Sequence, residues 1–284
     1  MRPGSDSQSE LPGNAGKLWL TLCREVAGDI HHLLTELPTR VEREPHVGAG
    51  KGGDDTTAID AAAEEAVVRR LEALHRTGVE FVLVSEELGE RTFGGNPNMR
   101  VVVDPIDGSV NAKRGIPFFS VSIAVATGPS MGDVVFGYVH DFGSGEEWLA
   151  ERGKGAQLDG RSLEGLGPKE EIELLAFEAT LTDYVAVKSG AFLDLAPRIR
   201  IMGSLALSLC HLAAGRIDAV VSLKPIRSVD IAAGQLLLRE QGLAIDLPDA
   251  GPFDEAPLDV VSRSRVVAGR TPGDCARLAR ALLA

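Results

Sequence analysis

Apolar positions along this chain follow two rhythms: stretches with the 3.6-residue period of helices, and short β-branched runs bounded by glycine. Leu18, Leu20, Leu22, Val26, Ile30, Leu33 and Leu34 recur at helical spacing, and Pro38 closes the pattern, predicting an amphipathic helix from Leu18 to Leu37. A glycine-rich loop from Gly48 to Gly53 follows. Asp60 then precedes AAAEEAVVRRLEAL, a run of strong helix formers, so a second helix is expected over about 61 to 76 with Asp60 as its N-cap. Phe81 to Val84, Val101 to Val103, Phe118 to Ala126 and Val134 to Val139 read as strands, with Gly128, Pro129 and Gly132 turning the chain between the last two. Gly153, Gly155 and Gly160 punctuate a further hairpin-like segment. Beyond Glu171 the pattern predicts extended chain at Leu174 to Glu178 and Ile217 to Ser222, and helix at Ser204 to Ala214 and Ile231 to Gln241. A short strand at Val266–Val267 and a helix from Pro272 to Leu283 complete it. Strands interleaved with helices, partly antiparallel, with no internal repeat and no Pro/Ser linker, predict layered α+β (mixed α/β) packing in one domain over 17–284.

Residues 1–16 are polar and slightly acidic, without the basic and apolar regions of a signal peptide, and are expected to be a disordered tail. Apolar residues make up 44% of the 284, enough for a large core. Cys23, Cys210 and Cys275 are far apart and lack metal-ligand spacing, which argues for neither a disulfide framework nor a zinc site and points to a reducing cytoplasm. The formal charge of −12, with no basic cluster interleaved with aromatics, excludes a nucleic-acid binder and disfavours a membrane surface. It also disfavours anionic substrates, unless something local reverses the sign.

The densest chemistry lies in VVVDPIDGSVNAKRGIPFFSVSIAV, from Val101 to Val125. An apolar strand delivers Asp104, Pro105 stops its pairing, and Asp107 follows three residues on, so two carboxylates converge in one turn. Such convergence is unfavourable unless cations sit between them. Gly108 and Ser109 then open a segment whose backbone N–H groups are able to face an anion. Oxygen ligands for a hard divalent ion beside N–H donors for phosphate are the parts of a phosphoryl-transfer site, although Asp-Pro-x-Asp-Gly alone is equally the sequence of a surface turn. Two more acids close the pattern: Glu86 and Glu87 directly after a strand, and Asp230 at a helix start, where a solvated pair and an N-cap are the plainer readings.

SEELG, DPIDGS with the following N…GIPFFSVSIAV, GSLALSLCHLAAGRIDAVVS and VDIAAG together resemble the inositol monophosphatase family, from about Lys51 to Gly242. SEELG, with no Trp before Asp230, is most similar to the archaeal-type branch, which resembles both inositol monophosphatase and fructose-1,6-bisphosphatase. The resemblance implies a five-layered αβαβα sandwich, with a metal-binding half to about 155 and an α/β half after it, forming a homodimer. It implies a phosphomonoesterase in which Glu86, Asp104, Asp107, Asp230 and the Ile106 carbonyl bind two or three Mg²⁺, with Mn²⁺ an alternative. Gly108 and Ser109 would cradle the phosphate. Asp60 and the Ser109 hydroxyl would orient and deprotonate a metal-activated water, with Asp54, Thr57 and Glu87 supporting them. Gly203 and Ser204 match positions lining the substrate pocket, though Ser204 also reads as a helix start.

The departures bear on substrate. Val229 stands where better-known members carry Trp, and Ser222 or Leu223 where they carry a Glu that contacts inositol hydroxyls. Lys113, Arg114, Lys224 and Arg227 are placed where they could contact a second phosphate, as in fructose 1,6-bisphosphate, or be ordinary solvated loop cations. The same chemistry on histidinol phosphate or adenosine 3′,5′-bisphosphate, or a non-catalytic regulatory protein retaining the fold, are the alternatives. Gly128-Pro-Ser130-Met-Gly132 fits a serine-hydrolase elbow in letters only, since Pro129 occupies the elbow and a strand follows. GAGKGG departs from a Walker A loop at Pro45 and Gly52.

Overall fold

The computed structural model describes residues 15–51, 55–167, 169–179 and 181–284. An eight-stranded sheet orders its strands Arg161–Ser162, Gly155–Leu158, Glu147–Glu151, Val134–Asp141, Ser120–Ala126, Arg100–Asp107, Phe81–Ser85 and Gly89–Phe93. All its neighbours are antiparallel except Phe81–Ser85 and Arg100–Asp107, which run parallel. A five-stranded sheet runs Arg198–Arg200, Leu174–Glu178, Ala219–Ser222, Val267–Gly269 and Ala244–Asp246, its first three strands parallel.

Side-chain alternation along these strands builds the layers. Leu83, Val101, Val103 and Ile123 face one side of the large sheet and pack with Trp19 and Ile30 of helix Ala15–Glu36 and Ile59, Val67 and Leu71 of helix Ala58–His75. Their neighbours Val84, Val102 and Ala124 face the other side, against helices Leu205–Ala213 and Ala232–Glu240. Those helices in turn cover Ala176, Val220 and Ala268 of the small sheet. Leu175, Phe177, Val221 and Val267 point outward under Leu278 and Leu282 of helix Pro272–Leu283. The result is the expected helix–sheet–helix–sheet–helix sandwich. Strand Ser120–Ala126 is buried along its whole length because both faces are covered, which is why its residues are apolar or small and no charged side chain interrupts it.

Several boundaries differ from the sequence reading. The first helix begins at Ala15, inside the expected tail; residues 1–14 lie outside the described residues. The large sheet continues through Ser162, past the expected midpoint near 155. Helix Ala58–His75 starts earlier than expected, with Thr57 as its N-cap, so Asp60 is the third helical residue and not the cap. Strand Arg100–Asp107 runs through Pro105, with a register irregularity between Asp104 and Asp107 where the chain bulges. Gly89–Phe93 is a strand the hydrophobic pattern hides. It is an edge strand with three exposed residues in a row, so nothing selects for apolar alternation. Among the described residues no helix is long and apolar enough to cross a membrane.

Candidate active site

The one parallel pair in the large sheet brings the first acids together. Ser85 lies opposite Val103 as the last pair of the parallel register, and the next residues are Glu86 and Asp104. Asp230 comes from the other half, on the turn ahead of helix Ala232–Glu240. Oxygens of Glu86, Asp104 and Asp230 lie within 4.8 Å of one another. All three residues are buried, Asp104 to 2% exposure. Burial, followed by the charges of Glu86, Asp107 and Asp230, pushes the Asp104 carboxyl well above the ordinary carboxylate range, with Arg227 opposing.

Asp107 stands outside that group of three. The bulge turns it toward helix Leu205–Ala213, where its Oδ2 accepts from Ser204 Oγ at 2.5 Å and Ala206 N at 2.8 Å. Burial raises its carboxyl to about 7, against the pull of these donors. Ser204 is therefore committed to the helix start, accepting from Leu207 N at 3.3 Å, and is not a cleft residue; of its two sequence readings the N-cap one holds. Asp230, by contrast, does not cap its helix. Its Oδ2 accepts from Arg227 N at 2.8 Å, and Ile231 takes the N-cap position.

These acids open into a cleft of about 560 Å³ that also exposes Thr57, Asp60, Glu87, Gly108, Ser109, Lys113, Gly203 and Lys224. Gly108 adopts φ +95°, and a β-carbon there would come within 3.0 Å of the Gly203 carbonyl and 3.1 Å of Phe119 Cβ, so glycine is required twice over. Asn111 reinforces this seam between the halves by donating to Phe118 O and Met202 O, both at 2.8 Å. Ser109 Oγ donates to the Ile106 carbonyl at 3.0 Å. Asp60 Oδ2 accepts from Thr57 Oγ1 at 2.5 Å and Thr57 N at 3.1 Å, while its Oδ1 is buried with no hydrogen-bond partner among the described residues. The expected Asp60–Ser109 pair thus shares the cleft, but the two side chains bond elsewhere. Thr56 donates to Glu87; Asp54 lies outside the described residues.

Of the four candidate cations, Lys113, Lys224 and Arg227 line the cleft, whereas Arg114 does not. Arg227 is bound to Glu86. Ser222 and Leu223, where the resemblance implies a substrate-contacting Glu in other members, turn away from the cleft: Ser222 Oγ accepts from Val266 N at 2.7 Å, and Leu223 joins the outer core. Val229 is buried between the sheets. Ser130 donates to Asp133 Oδ2 at 2.6 Å in a local turn, far from a hydrolase elbow in character.

The donor set fits a hard divalent cation. It is all oxygen, it concentrates like charge in a buried space, and it shares its cleft with Asp60, whose buried Oδ1 is unsatisfied among the described residues. Glu178, which no sequence motif marks, ends strand Leu174–Glu178 beside this site. It accepts from Gly203 N at 3.0 Å and Ser208 Oγ at 2.7 Å. An acid at the end of an apolar run, as at Glu86 and Asp104, was the available signal. Burial pushes Glu178 up to about 8. A raised carboxyl holds its full stabilisation below the unfolded-state value and loses it as pH rises through the folded one. Glu178→Gln is therefore expected to flatten the fall in melting temperature between about pH 5 and 8, a difference of a few kcal/mol at the upper end. Melting curves in chelator across that range check it, and an unchanged slope would show that Glu178 is not the titrating group.

A sequence profile of the inositol monophosphatase family matches residues 22–282. The chain is 33% identical over 252 residues to a fructose-1,6-bisphosphatase/inositol-1-monophosphatase of Archaeoglobus fulgidus, covering 88% of this chain and 92% of that protein. It is 34% identical over 224 residues to the Nus factor SuhB of Escherichia coli, covering 76% and 79%. Among solved structures, an inositol monophosphatase-fructose 1,6 bisphosphatase superposes with a TM-score of 0.80 at 25% identity, covering 93% of this chain and 99% of that one.

Proposed function

The chain belongs to the inositol monophosphatase family and is a phosphoric monoester hydrolase of that family; from this premise we propose that it uses Mg²⁺ to hydrolyse a small sugar or polyol phosphate. The observation that carries this reading is the convergence of Glu86, Asp104 and Asp230 on the wall of a cleft that also presents Gly108, Ser109 and lysines. The favoured substrates are inositol 1-phosphate and fructose 1,6-bisphosphate.

In this reading Glu86, Asp104 and Asp230 hold the ions, with Asp107 and the Ile106 carbonyl completing the set. When bound, two such ions supply Lewis-acid polarisation of the phosphoryl oxygens, easier deprotonation of the attacking water and neutralisation of the leaving oxygen. Asp60 Oδ1 takes the water's proton: the two Thr57 bonds hold Oδ2, which leaves Oδ1 as the oxygen without a partner among the described residues. Gly108 and Ser109 seat the phosphate through backbone N–H groups. Lys113 and Lys224 supply charge for a second phosphate, which favours a bisphosphate over a lone inositol phosphate. The proposal includes a cytoplasmic homodimer.

Phosphate release from inositol 1-phosphate, fructose 1,6-bisphosphate, histidinol phosphate and adenosine 3′,5′-bisphosphate at millimolar Mg²⁺ tests the substrate. Preference for either of the last two keeps the chemistry and replaces the substrate. No release from any phosphomonoester would favour the regulatory reading that the Nus factor relative raises. Asp230→Asn is expected to remove activity while leaving the circular dichroism spectrum unchanged; an active Asp230→Asn protein would take this residue out of the ion-binding set.

A further inference from the structure

One cation of the chain's own already reaches into the acidic centre. Arg227 Nη2 stands 2.5 Å from Glu86 Oε1 and 3.4 Å from Asp230 Oδ1. Both carboxylates belong to the trio whose oxygens meet within 4.8 Å. The residue is 9% exposed, so these contacts are made largely out of water, where charge pairs are strong and like charges repel strongly. Its backbone is held in place: the N–H donates to Asp230 Oδ2 at 2.8 Å, and the preceding Ile226 exchanges both backbone hydrogen bonds with Ser264. The side chain beyond Cβ turns about several single bonds and borders the open cleft, so the guanidinium is able to move while the turn stays fixed.

A guanidinium at this position and a divalent ion among Glu86, Asp104 and Asp230 draw on the same oxygens and repel each other across the same short distance. We propose that Arg227 is a built-in competitor for the metal: it neutralises Glu86 and Asp230, is displaced as the ion enters, and so sets the divalent-ion concentration at which the centre fills. The centre then responds to a concentration threshold and is not saturated at trace metal. This inference rests on the metal-centre reading above and adds to it a role for Arg227 distinct from substrate contact.

Calorimetric titration of Mn²⁺ into chelator-treated wild-type, Arg227→Met and Arg227→Lys protein tests it. Arg227→Met, which keeps bulk and removes charge, is expected to bind Mn²⁺ about tenfold more tightly or better, because the displacement step is gone. Arg227→Lys, still cationic, is expected to stay nearer the wild type. In chelator, Arg227→Met should also melt lower than wild type, and saturating Mn²⁺ should close the gap. Unchanged or weaker Mn²⁺ binding by Arg227→Met overturns the proposal. Should that variant fail to fold, the wild type still decides. Its Arg227 Nε–H resonance, assigned through Arg227→Lys, must shift as Mg²⁺ is added, and a resonance that ignores saturating Mg²⁺ overturns the competition. A wild type that takes up no Mn²⁺ would instead defeat the metal-centre reading itself, so the two failures are distinguishable.

Discussion

Asp104→Asn is expected to abolish Mg²⁺-dependent phosphate release, by about a thousandfold or more, while raising the melting temperature measured in chelator. The loss follows from removing one of three converging carboxylates: the ions contribute several kcal/mol of transition-state stabilisation, and each 1.36 kcal/mol is about tenfold in rate. The gain in stability follows from the same geometry. Asp104 is almost fully buried, and burial together with the charges of Glu86, Asp107 and Asp230 drives its carboxyl well above the usual range. The folded protein therefore loses stability as pH rises past the unfolded-state value of this group, and a neutral side chain does not. Asparagine also keeps the local bond, since Asp104 Oδ1 accepts Ile106 N–H at 3.0 Å and an amide oxygen does the same. Relief of about 1 kcal/mol would raise the melting temperature by roughly 2–4 °C, and the gain should grow from pH 6 to pH 8. Phosphate-release kinetics with paired melting curves measure both halves. Retained activity would remove Asp104 from the ion-binding set, and a lower melting temperature would contradict the account of repulsion.

Asp60→Asn is expected to lower kcat by about 10²–10⁴ while leaving Mn²⁺ affinity unchanged. Asp60 is not among the converging trio. Its Oδ2 is held by Thr57, and its Oδ1 is buried without a partner among the described residues, an arrangement unfavourable in a plain capping-box acid and useful for receiving a proton. Asparagine retains an oxygen for Thr57 but presents an amide nitrogen or a weakly basic oxygen to the water. Rate measurements beside Mn²⁺ calorimetry separate this role from ligation. A fall in metal affinity matching the fall in rate would make Asp60 a ligand, and an unchanged rate would leave it only the capping-box partner of Thr57.

Much of the layered fold was legible because the strands and helices that form the cores carry the alternation their burial demands. Phe81 to Val84, Val101 to Val103 and the helix of Ser204 to Ala214 were readable for that reason, since burial on a sheet or helix face filters residue type directly. Elements whose burial is partial escaped, as at Gly89–Phe93 on the large sheet's edge and Ala244–Asp246 on the small sheet's. Pro105 by itself predicts the end of a strand, yet the bulge lets the strand continue, because an irregularity in register leaves the proline's missing N–H without consequence for pairing.

By itself the sequence determined that acids end apolar strands, that glycine and serine follow one of them, and that the family's motifs stand in order from Lys51 to Gly242. Those are properties of local composition and spacing, and they are enough for the chemistry class. The tertiary structure alone decided which acids meet. Parallel register sets Glu86 beside Asp104, the bulge swings Asp107 onto Ser204, and the packing of the two sheets brings Asp230 across from the other half. It also decided that Glu178 borders the cleft, that Ser204 does not, and that Arg227 is spent on Glu86. Each depends on distances between residues tens to more than a hundred positions apart, set by sheet register and helix packing, to which a one-dimensional pattern is blind. The charge of −12 shows the division. Its size is in the sequence, while the gathering of Glu86, Asp104 and Asp230 into one buried centre, with the Arg227 guanidinium against two of them, exists only in the fold.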